Sequence, residues 1–150
     1  ENVAWLPRLG FEFKLPYEKN KFTYFGNGPY ESYRDMTHHG IVSFHESTAD
    51  REYVNSVRPQ EHGNHTDCKV LNIKDSLKFR SQSMEISVLH HSIEALASAE
   101  HTDELKKSDG THVRIDRKVS GIGSNSCGPE LDRKYRLDEK DITFDFVLSV

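Results

Sequence analysis

The chain has 150 residues, with 24 acidic side chains against 20 basic ones, and a net charge of −4. This length suffices for one domain that buries about 68–70% of its unfolded surface, and eight Phe, six Tyr and one Trp exclude a chain that stays unfolded. The acidic balance without a basic patch excludes a nucleic-acid partner, and the absence of an apolar run of about 18 residues excludes a membrane span.

Several short β-strands are predicted, because side chains of neighbouring strand residues point to opposite faces and produce an alternating apolar and polar pattern. The first clear case is 11–15, which Pro16 closes, and the aromatic run 22–25 ends in a turn at Gly26. Weaker candidates follow, and the C-terminal run shows the strongest alternation of all. The later predicted strands are 41–44, 68–73, 77–81, 84–89, 113–119 and 142–150.

One helix is predicted over 92–100, where Ser92 is a suitable N-cap and Glu94 favours the first turn. Residues 121–131 are predicted to form a loop. Many short strands with a single short helix predict an all-β fold of the antiparallel β-sandwich class. No internal repeat or low-complexity linker divides the chain, so residues 1–150 are interpreted as one structural unit.

Nine histidines raise the question of a metal site. His62 and His65 have a usable spacing, but a zinc site needs three or four ligands and the intervening Gly63 and Asn64 indicate a turn. No Cys-x-x-Cys pair accompanies them. We therefore expect structural or solvent-exposed histidines, and neither a metal nor another cofactor bound by this chain.

The two cysteines cannot supply a disulfide framework, which favours a reducing, cytoplasmic compartment. Cys127 lies in the glycine-rich segment 121–129, and a thiolate there needs a neighbouring base to act as a nucleophile. Nothing in the sequence provides that base, so a buried or pocket-lining thiol is the favoured interpretation. Cys68 lies in a predicted strand and is expected in the core. The chain also starts at Glu1 without Met, which we interpret as a processed or truncated product.

Two further loops combine glycine, proline and charged residues. Gly26-Asn27-Gly28-Pro29 leads directly into Glu31, and two glycines with a proline favour an unusual backbone path that can present side chains to a site. An ordinary turn with a polar face is the alternative. Gly28→Ala is expected to be harmful if φ at Gly28 is positive. In the second loop, 58–64, Glu61 is expected to pair with an arginine.

Four segments, taken in order, resemble the C-terminal domain of glycoside hydrolase family 2 β-galactosidases. In that family the segments read approximately L-P-R-x-G, G-x-G-P-x-E-x-Y-x-D, R-P-Q-E-x-G, and G-x-G before a polar loop. The matching segments are 6–10, 26–35, 58–64 and 121–123, so the resemblance covers almost the whole chain. It implies part of a galactose-mutarotase-like β-supersandwich, incomplete at its N-terminal side.

The resemblance implies a segment of an enzyme that hydrolyses terminal β-galactosides by a retaining mechanism with two glutamates. Those glutamates belong to a (β/α)₈ barrel that this sequence does not contain, so the isolated segment is expected to be inactive and to help close the sugar site. The implied partners are the remaining enzyme domains and the galactoside. A second copy of the chain is another candidate, since exposed strand edges tend to pair. Family parents often use Mg and Na ions that are bound elsewhere.

The resemblance also implies site residues. It aligns Cys127 with a tryptophan on which the sugar packs in the family, and a thiol offers far less stacking area than an indole. Asn125 and Ser126 are expected to hydrogen-bond sugar hydroxyls. Gly28 and Glu31 match a loop near the substrate entrance. Glu61 and Arg58 are expected to brace the domain against the barrel.

Two other functions remain open at this stage. A free carbohydrate-binding sandwich would present exposed aromatic residues, for which Tyr24, Phe25, Tyr30 and Tyr33 are the only dense cluster. A mutarotase-like epimerase needs an acid and a base across a pocket, and His90, His101 and Glu31 are its candidates.

Overall fold

The computed structural model of the chain describes residues 4–123 and 129–150. The fold is mostly antiparallel β-sheet with very little helix, which confirms the predicted class and is consistent with an all-β sandwich. A short 3₁₀ turn, Arg133–Tyr135, lies near the C-terminus. The strands and the helix are β1 (Arg8–Pro16), β2 (Lys21–Gly28), β3 (Ile41–Thr48), β4 (Asn64–Ile73), β5 (Lys78–Leu89), α1 (Ile93–Ser98), β6 (Gly110–Val119) and β7 (Val147–Ser149).

The strands form one sheet in the order β1-β6-β5-β4-β2-β3, so β1 and β3 are at its two edges. The long strand β5 has two partners along the edge that faces away from β4. Its residues 85–89 pair with β6, whereas residues 78–80 pair with β7. The predicted strands 77–81 and 84–89 are therefore one strand.

One face of the sheet is apolar and carries the core. Its centre is made of residues that are almost fully buried, including Phe22, Phe79, Ile86 and Ile115. Burying one such side chain stabilises the fold by about 1.5–3 kcal/mol. Phe146, in the C-terminal segment, packs against this cluster. Six aromatic residues belong to this cluster or pack against it, whereas Phe44 and Tyr30 are exposed.

The opposite face carries polar and charged side chains, because residues between the core positions of β1, β5 and β6 point away from the core. Arg114, between Val113 and Ile115, is fully buried. Its Nε donates to Glu12 (2.6 Å), its Nη1 to Ser87 (3.1 Å), and its Nη2 to the carbonyl oxygen of His91 (2.6 Å). A buried charge is tolerated when its hydrogen-bonding groups are satisfied in this way.

The C-terminal strand is the one serious error of the sequence prediction. The run 142–150 was expected to be a single strand, but only Val147–Ser149 form one, three residues long. The predicted alternation does hold for Ile142, Phe144 and Phe146, which are half-buried while their neighbours are exposed. β7 pairs with residues 78–80 of β5, and β6 pairs with residues 85–89. Just before β7, the chain contacts β5 through a side chain instead, since the hydroxyl of Ser81 donates to the carbonyl oxygen of Asp145 at 2.9 Å.

The predicted helix is confirmed, although it is shorter than expected. Ser92 is its N-cap and accepts a hydrogen bond from the backbone nitrogen of Ala95 at 3.1 Å. Within 4–123 and 129–150, no helix has the length and apolar character needed to cross a bilayer.

Candidate functional site

The loop after β2 is built around a tight turn at residues 33–36. Tyr33 and Met36 exchange two backbone hydrogen bonds, of 3.1 and 2.7 Å, which place Arg34 and Asp35 at the tip of the turn. The Tyr33 side chain is fully buried and holds the turn against the polar face. Burial, reinforced by the nearby carboxylates of Glu61 and Glu31, raises the pKa of Tyr33, so its hydroxyl stays protonated.

Tyr33 leads to an ion-pair cluster that joins two of the sequence motifs to the sheet. Its hydroxyl donates to Oε1 of Glu61 at 3.4 Å, and Nη1 of Arg8 donates to Oε2 of the same carboxylate at 3.1 Å. Nε and Nη2 of Arg8 both reach Asp116 on β6, the former at 3.2 Å. Burial opposes the charge on Arg8, but Asp116 and Glu61 outweigh it and raise the pKa of the guanidinium. The expected arginine partner of Glu61 is therefore Arg8, while Arg58 is exposed.

Glu31 connects the same loop to the segment 58–64. Its Oε2 accepts a hydrogen bond from the backbone nitrogen of Gly63 at 2.8 Å. Gly63 has a φ of +72°, in the left-handed region where a side chain is disfavoured. Glu31 also lines a cavity of about 490 Å³ beside Tyr30 and His39. The cavity lies between the loop after β2 and the end of β3.

Gly28 has a different constraint from the one considered from sequence. A positive φ is found at Gly63 rather than at Gly28. The requirement at Gly28 comes from close packing, because a Cβ there would lie 2.2 Å from Oη of Tyr24 and 2.9 Å from Cδ2 of His45. Gly28 is therefore needed for space rather than for backbone conformation.

The fourth motif, 121–123, is attached to the loop after β2 by Asp35. Oδ1 of Asp35 accepts a hydrogen bond from the backbone nitrogen of Ile122 at 3.1 Å, and Oδ2 of Asp35 accepts one from the backbone nitrogen of Gly123 at 2.8 Å. On the other side, the backbone nitrogen of Gly121 donates to the carbonyl oxygen of Tyr135 at 2.9 Å. The expected sugar contacts Asn125, Ser126 and Cys127 lie outside the described residues.

The first motif, 6–10, reaches the same place through Ser120. The backbone nitrogen of Ser120 donates to the carbonyl oxygen of Pro7 at 2.8 Å, and its hydroxyl donates to that of Leu6 at 2.7 Å. All four motifs, which are far apart in the sequence, therefore meet at one end of the polar face.

A second buried carboxylate lies beside this region. Glu85 on β5 accepts from Nε of Arg34 at 3.1 Å and from Nδ2 of Asn64 at 2.9 Å. Burial raises the pKa of Glu85, and the charge of Arg34 opposes that rise. Arg34 and Glu85 also line an open cavity of about 280 Å³ together with Thr66, Asp67 and Tyr135.

His62 and His65 do not converge on a common point. His65 is buried between Oη of Tyr24 (3.0 Å from Nδ1) and Oε2 of Glu52 (2.8 Å from Nε2), whereas Nδ1 of His62 lies 2.9 Å from the carbonyl oxygen of Gln60. In the part of the chain that the structure describes, no group of three or more His, Cys, Asp or Glu residues is placed to hold a metal ion. Cys68 is fully buried, as predicted, and burial raises the pKa of its thiol.

The structure does not favour the two alternative functions. Of the aromatic cluster, Tyr24 and Tyr33 are buried, Phe25 is half-buried, and Tyr30 alone is exposed, at 71%. Of the acid and base candidates, His90 is buried in a stack on Tyr17, and the cavity beside Glu31 includes neither His90 nor His101.

Arg8 and Asp35 lie within two of the sequence motifs, but their roles in the cluster could not be predicted from those motifs, and neither could the role of Asp116. Arg8 could have been singled out because it is the charged residue of the L-P-R-x-G motif. For Asp116 there was no signal beyond a charged residue on a predicted strand.

The fold and the ion-pair cluster around Arg8 define an antiparallel β-sheet domain. Hydrogen bonds and ion pairs hold its four sequence motifs together at one end of the polar face. Residues 1–148 match the family model described as "Beta galactosidase small chain", and the chain belongs to this family.

Named relatives agree with that assignment. The chain is 39% identical over 149 residues to a β-galactosidase of Actinobacillus pleuropneumoniae, which covers 98% of this chain and 15% of the relative. It is 36% identical over 155 residues to a β-galactosidase of Staphylococcus xylosus, with the same two coverages. A β-galactosidase of Kluyveromyces lactis is 33% identical over 147 residues, covering 95% of this chain and 14% of the relative. The chain thus spans about 15% of the length of these relatives and corresponds to part of a larger protein.

Proposed function

We propose that this chain forms one wall of the galactoside site of a β-galactosidase, through the glycine-rich loop that begins at Gly121. The observation that carries the proposal is the meeting of all four family motifs at one end of the polar face, where Asp35 binds the backbone of Ile122 and Gly123. The names and lengths of the relatives support it further.

In this proposal the catalytic carboxylates belong to the remaining domains. Retaining hydrolysis needs two carboxyl groups about 5–5.5 Å apart, one of them free to attack the sugar. The buried carboxylates of the polar face are committed to structural pairs instead: Asp116 with Arg8, and Glu85 with Arg34. Glu12 is likewise paired with Arg114. These pairs support our proposal that the chain supports the site and that the acid and the nucleophile belong to the remaining domains.

The proposed sugar contacts are those of the loop, namely Cys127 at the stacking position and the polar groups of Asn125 and Ser126. Gly28 and Glu31 are proposed to border the entrance, and the cavity of about 490 Å³ beside Glu31 supports this role. Our further proposals are that the chain binds no cofactor and that the Mg and Na ions of the parent are held elsewhere. We also propose that the complete enzyme works in the cytoplasm, where a second copy of this chain is a further candidate partner.

The first experiment assays the isolated chain on a nitrophenyl β-galactoside. We expect no turnover from the chain alone and restored turnover when the remaining domains are present. Robust activity that copurifies with the isolated chain would contradict the proposal.

The second experiment tests the loop in the complete enzyme. Cys127→Trp is expected to change the KM for the nitrophenyl galactoside, because an indole enlarges the surface available to the sugar face. His101→Gln serves as the matched control, since His101 is exposed. Equal and negligible effects of the two substitutions would show that the loop does not border the sugar.

A further inference from the structure

We propose that Asp35 is a positioning residue for galactoside binding, because it holds the stem of the glycine-rich loop in place. This inference rests on the proposed function, in which that loop borders the sugar. Asp35 does not touch the galactoside in this account. It acts through the backbone of residues 121–123.

The contact uses both oxygens of the Asp35 carboxylate. Each accepts a hydrogen bond from one of two consecutive backbone N–H groups, those of Ile122 and Gly123. Hydrogen bonds to a charged acceptor are stronger than those to a neutral one. Two bonds from one rigid group to adjacent peptide units fix both the position and the direction of the stem.

The glycine at position 121 is explained by the same contact. A Cβ at Gly121 would lie 2.6 Å from Cγ of Asp35 and within 2.8 Å of both its carboxylate oxygens. At Gly123 a Cβ would lie 3.1 Å from Oδ2 of Asp35. The G-x-G spacing thus leaves room for the carboxylate to approach the backbone, so the two motifs depend on each other.

Asp35 is itself held by its neighbours on the turn. Tyr33 and Met36 bridge the two ends of the turn through backbone hydrogen bonds. The Tyr33 side chain is anchored on Glu61, and Arg34 is anchored on Glu85 at 3.1 Å. The carboxylate is therefore presented by a rigid support, as positioning requires.

The matching substitution is Asp35→Asn in the complete enzyme. The Asn side chain has one acceptor oxygen, and an NH₂ group replaces the second carboxylate oxygen. That NH₂ group would face a backbone N–H, and two donors cannot bond each other, so at least one of the two hydrogen bonds is lost. We expect the amides of Ile122 and Gly123 to exchange hydrogen about tenfold faster or more. Asp103→Asn, at an exposed position, is the control and is expected to leave their exchange unchanged.

The kinetic readout separates positioning from a general structural effect. With Asp35→Asn we expect KM for the nitrophenyl galactoside to rise about fivefold or more while kcat changes by less than about threefold, since ground-state and transition-state binding are weakened together. Asp35→Glu keeps a carboxylate and is expected to recover part of the lost affinity. A fall in kcat with unchanged KM would overturn the inference.

A double-mutant cycle tests the contact from the loop side, and its single variant Gly121→Ala, which keeps Asp35, covers the case in which Asp35→Asn fails to fold. Gly121→Ala alone is expected to raise KM, because its Cβ would collide with the carboxyl group. In the background of Asp35→Ala, which removes that group, Gly121→Ala is expected to have little further effect. Additive effects of the two substitutions would contradict the proposed contact.

The outcomes distinguish this inference from the proposed function. If Cys127→Trp alters KM but Asp35→Asn leaves KM unchanged, the loop borders the sugar and Asp35 does not position it. If Asp35→Asn accelerates amide exchange at the stem and neither substitution alters KM, the contact exists but the proposed function fails. Unchanged amide exchange with Asp35→Asn overturns the inference directly.

Discussion

Arg8 offers a quantitative test of the cluster that joins the motifs. The side chain of Arg8 is 14% exposed and that of its partner Asp116 is 3% exposed. Arg8→Met keeps the aliphatic packing but removes the cation, so Asp116 is left as an uncompensated carboxylate inside the polar face. Breaking a buried pair from one side costs about 3–5 kcal/mol. The more exposed contact to Glu61 adds about 0–1 kcal/mol.

We expect this loss to lower the free energy of local opening of β6, the strand that carries Asp116. Since every 1.4 kcal/mol is a factor of about ten, a loss of about 3 kcal/mol accelerates amide exchange in β6 by about 100-fold. Hydrogen-exchange mass spectrometry of the peptide 110–119 in the complete enzyme measures this acceleration. Arg133→Met is the matched control, because the side chain of Arg133 is 86% exposed, and it is expected to leave the exchange of β6 within about twofold.

A second substitution separates the charge from the packing. Asp116→Asn in the Arg8→Met background removes the orphaned charge and is expected to recover a large part of the lost protection. If Arg8→Met accelerates the exchange of β6 no more than Arg133→Met does, the ion pair does not hold the motifs together and the reasoning is refuted.

Three further predictions follow from individual contacts. Gly28→Ala is expected to lower the melting temperature of the complete enzyme, because the new Cβ would lie 2.2 Å from Oη of Tyr24; an unchanged melting temperature would contradict the packing. Burial, with the nearby His62 and His90, lowers the pKa of His91 from 6.5 to about 4. As the pH falls, His91 is therefore protonated in the unfolded chain before it is protonated in the folded chain, which favours unfolding. About 2–3 kcal/mol of folding stability, fully present above pH 6.5, is lost as the pH falls towards 4. His91→Gln should flatten this dependence in denaturant titrations across that range, and an equal slope would refute it. Ser92→Ala is expected to cost α1 about 1 kcal/mol by removing its N-cap, seen as about fivefold faster amide exchange in α1 and not in β6.

Periodicity in the sequence predicted most strands because it depends on which side chains are buried. The alternation at 11–15 and 113–119 corresponds to β1 and β6, whose apolar residues pair across the strands, as Phe13 does with Val113. The C-terminal run shows the limit of this reasoning. Its side chains alternate in burial as expected, but hydrogen bonding depends on a neighbouring strand with a free edge.

The candidate site was only partly predictable for a related reason. Motifs within a single loop can be recognised from residue types, as the glycines and the acidic residue of 26–35 were. The contacts that join one motif to another connect distant positions, such as Arg8 with Asp116, which are 108 residues apart. Residue types alone do not say which carboxylate an arginine will meet.

The amino-acid sequence by itself determined the all-β class, the apolar face of the strands, the N-cap at Ser92 and the family resemblance, since all of these depend on local order along the chain. Only the tertiary structure shows which strand edges are free and why Gly28 must lack a side chain. It also shows that the Asp35 carboxylate accepts hydrogen bonds from the backbone of residues 122 and 123. Those features depend on which distant backbone and side-chain atoms come within hydrogen-bonding or van der Waals distance, and only the folded sheet brings them together.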